Sequence, residues 1–190
     1  MHTSLLHTAW PQVAEALLAA NVRLLCDSHT LSALASLPNP PAKFSSHVQP
    51  STESSYSTEH LDLMMSVIAL PSLHSAIQFI NSHSSHHTDS IVTESESAAS
   101  AFCRGVDSAG TFINASTRFA DGFRFGFGTE VGISTGKIHA RGPVGLEGLV
   151  IYKYAMRSKS ENGHIAGEFG IGEGKRRFKH AAIAATNVPF

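Results

Sequence analysis

Long apolar runs are absent from this 190-residue chain, and so is any surplus of charge. Its longest hydrophobic stretches, such as residues 64–70, fall far short of the roughly 20 residues a membrane-spanning helix needs. Fourteen Lys+Arg stand against 15 Asp+Glu, and a net charge of -1 offers no electrostatic footprint for nucleic acid or an anionic membrane. Neither partner is expected. Only two cysteines occur, Cys26 and Cys103, which excludes a disulfide-stapled scaffold and suits reduced thiols. The opening MHTSLLHTAW lacks a basic segment followed by a long apolar one, so no secretory signal is expected and a soluble cytoplasmic protein is. Internal repeats are also missing. What is present is a 42% hydrophobic content, enough to fill the core of one ordinary domain or one half of a larger one.

The pattern of apolar residues alternates between helix and strand. Thr8 can cap a first helix with Pro11 in its opening turn, and Val13, Ala16, Leu17 and Ala20 recur at helical spacing. Residues 22–26 read as a strand. Residues 28–37 read as a helix that must end before Pro38, because proline disfavours a helical residue ahead of it. From Pro38 to Ser57 the chain is rich in Pro and Ser and poor in large apolar side chains, as in an exposed loop. Residues 61–70 look like a strand buried on both faces. Ser72 caps a helix carrying Leu73, Ile77 and Ile80, and residues 90–93 form the next strand. Thr93 and Glu96 have capping-box spacing for a helix through Ala98, Ala101 and Phe102 that stops at Gly105, and residues 111–114 are a further strand.

Strands and helices alternating at these short spacings predict an α/β architecture with a parallel sheet and right-handed crossovers. Ligands in such sheets collect outside the carboxyl ends of the strands. Asn114 falls at that edge. The Gly-rich stretch after it, residues 115–148, is too long for a mere connector, which favours a functional surface. Asp121 and Gly122 read as a turn pair with the glycine at positive φ. The glycines do not form a nucleotide fingerprint. Gly126, Gly128 and Gly132 have the wrong spacing and no strand before them, and Gly170, Gly172, Gly174 and Lys175 fail the phosphate-loop pattern.

The stretch 111–154, TFINASTRFADGFRFGFGTEVGISTGKIHARGPVGLEGLVIYKY, resembles the C-terminal substrate-side block of the gamma-glutamyl phosphate reductase family, also called glutamate-5-semialdehyde dehydrogenases, within the aldehyde dehydrogenase superfamily. Upstream, Ala76, Ile77, Ile80 and the run from His83 through His87-Thr88-Asp89-Ser90-Ile91 resemble the family's helix-to-strand signature. Leu70 and Phe79 depart from it, where the family has valine and histidine. MHTSLLH at the start resembles the helix that follows the family's nucleophilic cysteine. The resemblance therefore puts that cysteine before Met1 and implies that the dinucleotide-binding half is absent here. NGHIAGEF and KRRFKH resemble the C-terminal extension of fungal-type members.

This resemblance implies the three-layer, parallel-sheet catalytic half of an aldehyde dehydrogenase-like fold, spanning 1–154 with a Pro/Ser-rich insertion at 38–57. It further implies a strand or hairpin tail at 155–190. The implied activity is the NADPH-dependent reduction of L-glutamyl 5-phosphate to L-glutamate 5-semialdehyde in proline biosynthesis, in a chain inactive by itself. An alternative is a noncatalytic module that associates with an intact reductase subunit. The implied partners are glutamyl phosphate and either further copies or a reductase subunit.

Site residues follow from the same resemblance. Asn114, Ser116, Thr117 and Arg118 correspond to the wall of the substrate funnel, where hydroxyls, backbone N–H groups and a guanidinium suit a substrate bearing a carboxylate and a phosphate. Arg118 is then an anion clamp, or else the partner of Asp121 or Glu130 in a salt bridge. Glu59 is the counterpart of a glutamate that holds the ribose next to the nicotinamide, or a solvated loop residue. Lys137, His139 and Arg141 form a phosphate-facing rim or fix the long loop. Glu147 sits where a carboxylate suits a helix start. The cluster of His83, His86 and His87 lacks the regular spacing and mixed ligands of a zinc site, so no metal is expected. Cys103, beside Arg104, and Cys26 read as small hydrophobes rather than nucleophiles.

Overall fold

The computed structural model describes residues 1–179 and divides into two compact units, Met1–Val150 and Ile151–Phe190. In the first unit a three-stranded parallel sheet has the order β2-β1-β3, with β1 at Arg23–Cys26, β2 at Val48–Pro50 and β3 at Met64–Val67. Leu24 and Cys26 alternate inward along β1 at 0% and 1% exposure, the period-two pattern of a strand that faces a core.

Helix α1, Ala9–Ala19, covers that face. Its buried stripe is Trp10, Ala14 and Leu18, one step around the helix from the stripe expected from the sequence, and Val13, Ala16 and Ala20 face water. Trp10 decides the phase. Its indole is the largest buried side chain, and its Nε1–H donates to the Thr30 carbonyl at 2.9 Å, a bond only this rotation permits. Thr8 occupies the N-cap position without a side-chain hydrogen bond. The helix ends in a Schellman arrangement, with Asn21 left-handed at φ 63° and the N–H groups of Asn21 and Val22 donating to Leu18 and Leu17 carbonyls. Helix α2, Ser28–Ala35, is capped by Asp27, whose Oδ1 accepts from the Thr30 N–H at 3.0 Å. Like the expectation, it stops short of Pro38.

The segment read as a loop is more structured than its composition implied. Residues 38–57 hold a short helix α3, Phe44–His47, the edge strand β2, and a 3-10 turn at Glu53–Ser57. Strand β3 is also shorter and more exposed than expected, since Met65 is 43% exposed and only Val67 is buried.

Helix α4, Leu73–His83, begins at Ser72, whose Oγ accepts from the Ser75 N–H, and leads into β4, Thr88–Ile91. Helix α5, Glu96–Gly105, then crosses to β5, Gly110–Ile113, which pairs parallel with β4 so that Ile91 lies opposite Ile113. Ser95 rather than Thr93 caps α5, because the Ser95 Oγ reaches the Ala98 N–H at 3.2 Å while Thr93 is spent on the Ser95 N–H. Asn81 locks α4 to the end of α5, donating to Gly105 O and accepting from the Asp107 N–H, both at 2.8 Å. The parallel strands thus form two hydrogen-bonded sheets where a single one was expected.

The Gly-rich stretch folds into an antiparallel pair, β6 at Gly132–Ser134 and β7 at Gly142–Val144. The turn expected at Asp121 and Gly122 forms, with the Phe125 N–H donating to the Asp121 carbonyl at 3.0 Å, but Gly122 lies outside the positive-φ region expected of it. A Cβ at that position would sit 2.5 Å from the Thr129 carbonyl oxygen, so close backbone approach is what requires the glycine.

Described residues 151–179 of the second unit contain a 3-10 turn at Ala166–Glu168 and an isolated bridge between Phe169 and Arg176 in place of a strand pair. The rest of the expected tail, 180–190, lies outside the described residues. Among the described residues no helix is long and apolar enough to cross a membrane.

Candidate functional site

Strands β4 and β5 end in register, and two open clefts share that carboxyl edge. One, of 550 Å³, lies between the edge and α5 and is bordered by Thr93, Glu94, Ser95, Cys103, Arg104 and Asn114, among others. The other, of 750 Å³, is bordered by Val92, Thr93, Glu94, Asn114, Ala115 and Ser116. The site thus opens where parallel-sheet topology puts ligands.

Asn114 is common to both clefts, but its amide is already engaged. Its Oδ1 accepts from the Thr93 N–H at 2.9 Å and its Nδ2 donates to the Thr93 carbonyl at 2.8 Å, while its backbone is left-handed at φ 52°. Asparagine tolerates this conformation better than most residues. The side chain therefore clamps the two strand ends together and keeps the remaining lone pair and N–H for a ligand. Ser90 Oγ adds a second tie by donating to the Ala115 carbonyl at 2.9 Å. Ser116 starts a 3-10 turn at Thr117–Phe119, its Oγ accepting from the Arg118 N–H at 3.3 Å. Thr117 and Arg118 follow in that turn, exposed, and border neither cleft.

Neither anticipated partner takes Arg118. Asp121 pairs with Arg124 at 2.6 Å, and the Glu130 carboxylate accepts from the Gly122 N–H at 2.7 Å. Among the described residues the Arg118 guanidinium has no hydrogen-bond or ion-pair partner. On the α5 side Glu94 and Glu96 bring negative charge, and Arg104 is turned to the Ser100 hydroxyl. An anion is thus favoured on the Arg118 side and repelled on the other.

The basic residues further along fix the loop. Lys137 bonds Asp107 at 2.5 Å, Arg141 reaches the same carboxylate at 3.1 Å and its backbone carbonyl at 2.8 Å, and His139 Nε2 meets the Gly148 carbonyl at 3.1 Å. Lys137 first, then Arg141, holds the Asp107 carboxyl below the usual carboxylate range. Glu147 sits in the first turn of a 3-10 helix at Leu146–Leu149.

Glu59 is exposed on the segment between the 53–57 turn and β3 and borders neither cleft. The structure therefore does not gather it with Asn114, Ser116, Thr117 and Arg118. One exposed carboxylate without converging backbone N–H groups does not make a dinucleotide site, so no chemical step is routed through NADPH here. The histidines also separate. His83 stacks on Phe79 with ring centroids 4.0 Å apart, and His87 Nδ1 bonds Thr88 Oγ1. Cys26 is buried beneath α2, and that burial pushes its thiol up to about 11. Cys103 is half-buried at the cleft edge. Thr93 and Ser90 were not singled out as site residues by the sequence. The signal for them was the matched ends of β4 and β5, which bring a hydroxyl at one strand's end beside the next.

No protein-family model matches the chain. It is 50% identical over 188 residues to a probable gamma-glutamyl phosphate reductase of Schizosaccharomyces pombe, an alignment covering 99% of this chain and 40% of that protein. The chain belongs to the gamma-glutamyl phosphate reductase family. The Saccharomyces cerevisiae gamma-glutamyl phosphate reductase is 52% identical over 136 residues, covering 72% of this chain and 29% of the relative. The crystal structure of the Thermotoga maritima gamma-glutamyl phosphate reductase superposes with a TM-score of 0.70 at 36% identity, over 83% of this chain and 37% of that one. The chain thus spans about 40% of the length of the Schizosaccharomyces pombe and Thermotoga maritima reductases.

Proposed function

We propose that these residues form the acyl-phosphate side of a gamma-glutamyl phosphate reductase. That enzyme is a cytoplasmic oxidoreductase of proline biosynthesis which uses NADPH to convert L-glutamyl 5-phosphate to L-glutamate 5-semialdehyde and phosphate. The observation that carries the reading is the Arg118 guanidinium, unpaired among the described residues, one turn beyond the β4–β5 strand ends. A planar guanidinium in that position suits bidentate contact with the phosphate or the α-carboxylate of the substrate. Ser116 and Thr117 add hydroxyl donors, and Asn114 fixes the edge from which they project.

Covalent reduction of an acyl phosphate needs a thiolate that displaces phosphate from the carbonyl carbon, and a thioester then accepts hydride to release the aldehyde. Neither cysteine here supports that step. Cys26 is buried with its thiol held protonated, and Arg104 beside Cys103 is committed to Ser100. The reading therefore assigns binding and orientation of the acyl phosphate to these residues and leaves the nucleophile to residues outside them. A preparation of these 190 residues should show no NADP- and phosphate-dependent oxidation of glutamate semialdehyde, and robust turnover would refute this division of labour. Titration of the chain with inorganic phosphate, followed through the backbone amide NMR signals of residues 116–119, tests the clamp. Saturable shifts that vanish in Arg118→Met are expected, and identical titrations in both proteins would count against it.

A second reading, a noncatalytic module docking on an intact reductase subunit, draws on large apolar side chains left in water, with Phe123 70%, Ile138 101% and Leu146 67% exposed. Co-purification with a full-length reductase at defined stoichiometry would favour it.

A further inference from the structure

In the second unit the chain turns sharply at residues 160–163, Ser-Glu-Asn-Gly, where the Gly163 N–H donates to the Ser160 carbonyl at 3.0 Å. Serine at the first position and glycine at the last suit such a turn, and Gly163 sits at φ 69°, a conformation that glycine adopts without strain. Asn162 is exposed in this turn, and among the described residues its side-chain amide has no hydrogen-bond partner. A Cβ built at Gly163 would meet nothing within 4 Å, so no described part of the chain crowds the Asn162–Gly163 link.

The other asparagines among the described residues are shielded, each in its own way. Asn81 bonds Gly105 O and the Asp107 N–H through its amide, and Asn114 bonds both backbone groups of Thr93. Asn21 accepts from Lys43, and the Val22 N–H that follows it is held by the Leu17 carbonyl at 3.0 Å. Asn39 precedes Pro40, which has no N–H. The chemically similar Asp121–Gly122 link is locked as well: Asp121 accepts from the Phe123 N–H and pairs with Arg124, and the Gly122 N–H donates to Glu130. Among the described residues a free side-chain amide and a following glycine meet only at Asn162.

We propose that Asn162 is a site of spontaneous deamidation through a succinimide, a covalent modification of the second unit. Local opening of the exposed turn frees the Gly163 nitrogen from the Ser160 carbonyl. Hydroxide removes the proton of that nitrogen, which attacks the Asn162 side-chain carbon Cγ. The new N–Cγ bond closes a five-membered ring, the Cγ–Nδ2 bond breaks, and ammonia leaves with a proton taken from water, which regenerates hydroxide. A water molecule then opens the ring. Its addition at Cγ leaves aspartate, and its addition at the main-chain carbonyl leaves an isoaspartyl link in which the chain runs through Cβ and Cγ. Neither product requires an oxidant or a reductant. Both place a new carboxylate close to His164, whose Nδ1 lies 3.2 Å from Glu168 and 3.4 Å from Arg176. The Arg176 N–H also donates to the Glu168 carbonyl at 2.8 Å, so the cluster that ties the Ala166–Glu168 turn to Arg176 receives both the added charge and, in the isoaspartyl form, the added methylene.

Ageing the purified chain in mildly alkaline and mildly acid buffer, followed by tryptic peptide mapping, tests this. The peptide 160–175 should divide into amide, aspartyl and isoaspartyl forms, with the isoaspartyl form scored by enzymatic methylation. Conversion should be faster in the alkaline buffer, because hydroxide removes the Gly163 proton. Conversion at Asn81 and Asn114 should be slower by at least about tenfold, the factor that two ordinary hydrogen bonds supply. Asn162→Gln should abolish the products in this peptide, since glutamine must close a larger ring. Backbone amide NMR signals of residues 164–176 should shift as product accumulates, while those of α1 stay in place. An Asn162 that remains an amide in alkaline buffer overturns the proposal. So does loss of ammonia from Asn81 and Asn114 at the rate seen at Asn162, or aspartate formed without isoaspartate.

Discussion

Replacing Asn114 separates two roles that its position at both clefts would otherwise confound. Its side-chain amide makes two partly exposed hydrogen bonds to Thr93, each contributing about 0.5–1 kcal/mol. Its backbone sits at φ 52°, where alanine is less favourable than glycine by about 1 kcal/mol. Asn114→Ala should therefore destabilise the chain by about 2–3 kcal/mol and Asn114→Gly by about 1–2 kcal/mol. In thermal unfolding these losses amount to about 2–4 °C per kcal/mol for a chain of this size. Urea denaturation followed by far-UV circular dichroism measures the difference, and exchange at the Thr93 amide localises it. Phosphate affinity should fall in both variants because the edge carrying Ser116 and Arg118 loosens. If both substitutions leave stability unchanged while phosphate binding is lost, Asn114 is a ligand and the clamp argument is wrong. If alanine and glycine are equally destabilising, the left-handed backbone contributes nothing.

Other perturbations reach the core and the loop. Trp10→Phe leaves the buried Thr30 carbonyl without the indole N–H and removes ring volume, and should cost about 1–3 kcal/mol in the same denaturation assay. A thiol-specific disulfide reagent at pH 8 should label Cys103 in the folded chain and Cys26 only after unfolding. The Cys26 thiol, raised to about 11, also predicts a pH effect. The unfolded thiol ionises near 9 while the folded one stays protonated, so stability is full below 9 and is lost as pH rises toward 11, by up to about 2–3 kcal/mol; Cys26→Ala should flatten that slope. Asp107→Asn should remove the ion pairs to Lys137 and Arg141, leaving Arg141 only its bond to the backbone carbonyl, and speed proteolysis within residues 135–141. In the parent chain the lowered Asp107 pKa supports the loop above the usual carboxylate range and ceases to do so as pH falls through its depressed value.

How far the sequence could be read depended on how local the deciding interaction was. Helices α4 and α5 were legible because a serine hydroxyl, an apolar period and a stop all lie within a dozen residues. The error at α5, Thr93 for Ser95, is small because either hydroxyl satisfies the same spacing logic. Strand β2 was hidden because only Val48 faces inward and Pro50 ends it, so composition outweighed a pattern too short to show. The face of α1 was misjudged because two stripes are apolar, and the choice between them belongs to a hydrogen bond from Trp10 to Thr30 in the next helix.

At the candidate site the same distinction holds. That Asn114 ends a strand was readable; that its amide spans to Thr93 was not, since that contact depends on the parallel register of β4 and β5. For Arg118 the two carboxylates within reach in sequence looked equally available. The structure gives Asp121 to Arg124, three residues on, and Glu130 to the Gly122 N–H.

The residues that reveal the family and those that form the core are largely different residues. The core cluster draws on Trp10, Leu18, Leu24, Leu34, Val48 and Val67, all ahead of the stretch 111–154. Within that stretch Phe119, Phe123, Ile138 and Leu146 are all more than half exposed, so packing among the described residues does not account for their apolar character. An exposed Phe or Ile returns none of the roughly 1.5–3 kcal/mol that burial of such a side chain yields. Under the proposed function that return comes from surfaces contributed by the remainder of a reductase, of which this chain spans about 40%. Stability and recognition therefore rest on different residues: substitutions at Trp10 or Leu34 should unfold the chain, whereas Phe123→Ser or Ile138→Ser should leave its folding intact and weaken association with a complementary half.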